Sequence, residues 1–98
     1  MKSVITQIVI SSIQHVTITE DSISVDLADE RTIAIPIAWY PRLYHGAPIE
    51  RANWRFIGDG VGIHWPDLDE DISVETLIAG HPSNESQASL ARWLESRN

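Results

Sequence analysis

The sequence contains no cysteine. Disulfide bonds, thiolate metal sites and cysteine nucleophiles are thereby excluded, which suits a reducing compartment. Basic residues are scarce: seven Lys and Arg stand against fourteen Asp and Glu, a formal charge of −7. Phosphate backbones are bound mainly by summed positive charge, so direct nucleic-acid binding is not expected. The same deficit argues against docking on an anionic membrane surface. No apolar run is long enough for a membrane-spanning helix. The residues after Lys2 show neither a continuous apolar core nor a small-residue cleavage site. No signal peptide is therefore expected, and a cytoplasmic location is.

What is present reads as one α+β domain over residues 1–98, enough chain to bury roughly 60–70% of its unfolded surface. Residues 1–12 are ambiguous, because Ile8-Val9-Ile10 suits either a strand or an arm that packs on something else. From His15 the pattern is clear. Val16 and Ile18, then Ile23, Val25 and Leu27, then Ile33 and Ile35 alternate with polar residues, which predicts three half-buried antiparallel strands. Requiring apolar side chains to face each other fixes the loops. A two-residue loop at Glu20-Asp21 sets Ile18 against Ile23. A three-residue loop, Ala28-Asp29-Glu30, sets Val25 against Ile33, with Glu30 in a left-handed position that glycine usually fills at lower cost.

Pro36 ends the third strand. Trp39-Tyr40-Pro41 opens a short helical stretch through Leu43 and Tyr44, stopped at Gly46, and Pro48–Arg51 gives a further turn. A hairpin about Asp59-Gly60 pairs Phe56 with Ile63 and Trp54 with Trp65 on a core face. Its other face sets Arg55 opposite His64. After Pro66 come Asp67, Asp69, Glu70 and Asp71, favourable ahead of a helix capped by Asp71 or Ser73 and ended by Gly80. Asn84–Gln87 predicts the start of an amphipathic helix over about 84–97, with Leu90, Ala91, Trp93 and Leu94 on one stripe and Glu85, Ser89, Arg92 and Ser96 outward.

Several strings together resemble the domain-of-unknown-function family 2442. They are Trp39–Leu43, Glu50-Arg51, Asn53–Arg55, Gly60–Pro66 and Leu68–Val74, and the resemblance covers about residues 13–80. It implies a small α+β fold of three strands, a helical segment, two strands and a helix. It implies no established activity and no catalytic residues. Some members are fused to a helix-turn-helix domain; others sit beside a second small protein in pairs that look like toxin–antitoxin modules. This chain has Asp29-Glu30 where the family usually has Asp-Gly. Its last stretch supplies one helix, too little for a helix-turn-helix domain, so DNA binding does not carry over.

No motif identifies a reaction. His64, with Arg55 opposite and Asp67 and Asp69 downstream, is the residue closest in kind to a general base, but no nucleophile is placed beside it. Asp67, Asp69 and Asp71 alternate as in a calcium loop, yet Ile72 and Ile78 occupy the required glycine and glutamate positions. The histidines at 15, 45, 64 and 81 show no zinc spacing, and no cofactor or resident metal is expected. Trp39 and Leu43 are read as packing the short helix onto the sheet. The partner-binding candidates are Tyr40, Arg42, Arg55, His64, Asp67, Asp69 and Glu70, because aromatics and arginine dominate interfaces and the carboxylates suit a basic partner protein. The leading expectation is a protein-interaction module, antitoxin-like in a two-protein system. The alternatives are a small enzyme or divalent-metal protein centred on His64, Asp67 and Asp69, and a regulator acting through a DNA-binding partner. Trp93 is either a core residue or a homodimer contact through the terminal helix.

Overall fold

The computed structural model describes residues 11–97. The run Ile8-Val9-Ile10 lies outside them. Two three-stranded antiparallel sheets flank a helical connection, an α+β architecture. The first sheet comprises β1 (Ile13–Ile18), β2 (Ser22–Leu27) and β3 (Thr32–Pro36), in that spatial order. Its register is the one that apolar matching demands: Ile18 faces Ile23, Val16 faces Val25, and Val25 faces Ile33. Glu30 takes the left-handed conformation at φ 76°, closing the second hairpin.

A 3-10 turn at Ile37–Trp39 leads into two short helices, α1 (Pro41–Tyr44) and α2 (Pro48–Ala52). In a 3-10 turn residues three apart eclipse, so Ile37 and Tyr40 both point inward. They are 2% and 3% exposed. Trp39, between them, is turned outward at 36%. The expected roles of Trp39 and Tyr40 are thus exchanged, while Leu43 is fully buried as anticipated.

The second sheet comprises β4 (Arg55–Ile57), β5 (Gly62–Trp65) and β6 (Glu70–Ser73), again in sequential order. Phe56 pairs with Ile63 as expected, but the turn is longer than two residues: pairing ends at Ile57 and Gly62. Gly58 and Gly60 both have positive φ within it. Gly60 also has a packing reason. The Ile13 amide donates to its carbonyl at 2.8 Å, and a Cβ there would stand 2.6 Å from the Ile13 oxygen. This contact ties the two sheets together.

β6 is a correction to the sequence reading. Glu70 and Asp71 lie in a strand, not in a lead-in to a helix, because Ile72 is buried opposite Ile63. The helix that follows, α3 (Val74–Ala79), is capped by Ser73, whose Oγ accepts from the Thr76 amide, and is ended by Gly80 at φ 74°. Residues 81–86 form no regular element. The terminal helix α4 (Gln87–Ser96) starts later than expected, with Ser86 as its cap.

Both sheets share one core. Ile23, Val25 and Leu27 come from the first, Ile63, Trp65 and Ile72 from the second, with Leu43, Leu68 and Leu77 between. Each such side chain contributes about 1.5–3 kcal/mol on leaving water. The polar end of Trp65 is satisfied: its Nε1–H donates to the Arg51 carbonyl at 2.9 Å. Among the described residues no helix is long and apolar enough to cross a membrane.

Candidate functional site

Strand alternation puts Trp54, Phe56, Ile63, Trp65, Glu70 and Ile72 on one side of the second sheet and Arg55, Ile57, Gly62, His64, Asp71 and Ser73 on the other. Arg55, His64 and Asp71 stand opposite one another on three adjacent strands, forming one transverse row on the outer face. The His64 Nδ1 and an Asp71 carboxylate oxygen are 2.5 Å apart. Asp71 is therefore the partner of His64. Neither Asp67 nor Asp69 reaches it: Asp67 accepts from the Asn53 amide at 2.9 Å, and Asp69 lies on the side of Arg42. The expected grouping of His64, Asp67 and Asp69 is not assembled.

The remaining candidates meet at the edge of the sheet. Among the described residues β6 pairs only with β5, so its other side is a free edge. The Val74 amide donates to the Val61 carbonyl, which extends the β5–β6 ladder and sets its phase. Ile72 and Glu70 then bond to β5, and the Asp71 amide and carbonyl face away from it. Beside this edge runs a polar cleft of about 240 Å³ lined by Tyr40, Glu70, Asp71, His81, Ser83 and Asn84, among others. A neighbouring hollow is lined by Arg42, Asp69, Glu70, Ser83, Asn84 and Glu85.

Glu70 is a carboxylate on the core-facing side of the sheet. Burial pushes its pKa up to about 7, with Glu85 and Asp71 acting in the same direction. Arg42 and the Asp71 amide oppose them. Arg42 itself is largely spent. Its guanidinium binds both Glu85 oxygens, at 2.7 Å for the shortest contact, donates to the Asp69 carbonyl at 3.2 Å and packs 5.1 Å from the centre of the Trp93 ring. The Glu85 hydrogen bond raises the Arg42 pKa, and the same bond lowers that of Glu85. Glu85, expected outward, is an internal partner. Tyr40 is likewise consumed: its hydroxyl donates to the His81 carbonyl at 2.8 Å, and burial raises its pKa. Tyr40 and Arg42 thus position the cleft and are not free flanking contacts. Trp93 packs on the core of its own chain, between Arg42 and an Arg97 that pairs with Glu50.

Of the carboxylates in residues 67–71, Asp67, Asp69 and Asp71 are exposed. The Asp69 side chain is 87% exposed and that of Asp71 66%. Among the described residues no group of three or more His, Cys, Asp or Glu side chains is arranged to hold a metal ion.

The model of a family described as protein of unknown function (DUF2442) matches residues 13–83. No curated protein matches the chain. A protein of unknown function from Rhodospirillum rubrum, known from its crystal structure, is similar at 25% identity and a TM-score of 0.64. The match covers 80% of this chain and 94% of that one. An uncharacterised protein from Chromobacterium violaceum, solved by NMR, is similar in fold at 22% identity and a TM-score of 0.62, over 83% of this chain and 74% of that one.

Proposed function

The chain belongs to the DUF2442 family, and from that starting point we propose that it is a protein-interaction module that takes a basic polypeptide segment along the free edge of β6. One observation carries the reading: among the described residues the outer edge of β6 is unpaired, with the exposed carboxylates Asp69 and Asp71 beside it and the adjoining cation, Arg42, held by Glu85. A free edge offers main-chain hydrogen bonds to an extended peptide. The carboxylates add steering and choice of partner. A lysine or arginine side chain entering the cleft would meet Glu70 and Asp71 at its wall. Its charge favours the ionised form of Glu70, so binding releases a proton and tightens as pH rises through about 7. In a two-protein system the module would be the antitoxin-like member, covering a basic surface of its partner.

Calorimetric titration with a lysine-rich peptide tests this. Binding should be salt-sensitive and should be weakened by the variant Asp69→Lys, whose side chain is exposed. Equal binding by that variant, or indifference to peptide charge, would refute the reading.

A further inference from the structure

The outer face of the second sheet holds a cation that the described fold does not use. Of the six arginines among the described residues, Arg31 pairs with Asp29, Arg42 with Glu85 and Arg97 with Glu50. Arg51 donates to the carbonyls of Leu43 and Tyr44. Arg55, like Arg92 on the terminal helix, has neither an ion pair nor a hydrogen bond among the described residues, although the chain carries twice as many acids as bases. Instead it stands in register with His64, at the cross-strand distance of about 4.5–5.5 Å between Cβ atoms. His64 is only partly exposed and is held through Nδ1 by Asp71. With that nitrogen occupied, the ring presents Nε2. The adjoining row is Ile57, Gly62 and Ser73. Gly62 leaves its centre bare, and no larger residue fits easily: a Cβ there would stand 2.9 Å from the Ile72 carbonyl oxygen. The result is a shallow floor beside His64.

We propose that Arg55 and His64 form a binding site for a small oxyanion, the carboxylate or phosphate group of a small-molecule ligand, with Asp71 as the residue that orients the imidazole. The guanidinium fork matches two oxygens of such a group. The imidazole adds a donor at Nε2 only when it is doubly protonated, because Asp71 takes the Nδ1 proton. Binding therefore takes up a proton, and affinity falls as pH rises. The charged groups facing His64 are Arg55 from β4 and Asp71 from β6, one of each sign. Asp71 does not cancel the site, since its charge is engaged by the ring beneath the ligand. This inference shares Asp71 with the basic-segment reading, but its ligand-binding groups, Arg55 and His64, lie on the outer face and take no part in that reading, so Arg55→Ala separates the two.

The test is an NMR titration of the full chain with sulfate, inorganic phosphate and acetate. Sulfate carries the pH dependence because it does not itself titrate near neutrality; acetate against phosphate tells which group the site prefers. Saturable shifts confined to Arg55, His64 and Asp71, stronger at lower pH, are expected. Arg55→Ala should weaken binding at least about tenfold. His64→Gln should weaken it less and abolish its pH dependence, a signature that a merely structural role would not produce. Shifts that fail to saturate, that appear equally at Arg31 and Arg92, or that survive Arg55→Ala would overturn the proposal.

Discussion

On the first sheet the outward row across the middle of the strands is His15, Asp26 and Thr32; on the second it is Arg55, His64 and Asp71. Both rows contain an aspartate and a histidine on an exposed face. In the first, Asp26 is satisfied by the Thr32 hydroxyl at 2.7 Å, His15 is exposed, and the next row is Thr17, Ser24 and Ala34. Small hydroxyl residues around a satisfied carboxylate make a solvated face. In the second the histidine occupies the central strand, takes the aspartate and leaves an arginine unpaired. The same architecture is thus neutral on one sheet and chemically loaded on the other. The turns differ as well. The first sheet has Glu30 at φ 76° in its second turn, whereas the second uses Gly58 and Gly60 in its first turn and Asp69, at φ 50°, in its other.

The inner faces should not share this asymmetry. Trp65→Ala is expected to cost about 3–5 kcal/mol, and Ile23→Ala about 2–5, in one cooperative urea transition because the core is common. Two separate transitions would mean that the sheets are independent units. Outward positions on the two central strands should differ next. Gly62→Ala should cost about 1–3 kcal/mol through the contact with Ile72, while Ser24→Ala should stay within about 0.5. Glu30→Gly should stabilise by roughly 0.5–1 kcal/mol, bringing the first sheet's turn into line with the second's. An effect of similar size is read in a pH series. Glu70 holds its proton in the folded state up to about 7, above the 4.5 of a free carboxyl. Over that interval the native state binds more protons than the unfolded one, so stability falls as pH rises. Solvent screening at this half-exposed site keeps the loss to about 1 kcal/mol. Glu70→Gln should flatten the melting temperature across this window and raise it above pH 7.

Much of the first sheet was legible, because β-branched residues at alternate positions left only one loop length that kept them facing each other. The Arg55–His64 pair was legible for the same reason: the turn at Gly60 fixed the Phe56–Ile63 register. β6 was not. Asp69, Glu70 and Asp71 have poor strand propensity and sit where helix-capping acids belong, and only burial of Ile72 against β5 makes them a strand. Losing β6 also hid Asp71 as the partner of His64. The Arg42–Glu85 pair spans 43 residues, beyond any local pattern. Tyr40 and Trp39 were exchanged because a 3-10 turn, unlike an α-helix, places residues three apart on one line.

The central claim is that the free edge of β6 takes a basic segment. It is met most directly by mapping backbone amide shifts while a lysine-rich peptide is titrated above and below pH 7. The predicted result is saturable change confined to Asp69–Ser73 and Ser83–Glu85, tighter above pH 7 as Glu70 ionises. Changes that scatter over all exposed acids, or that centre on the first sheet, would contradict it.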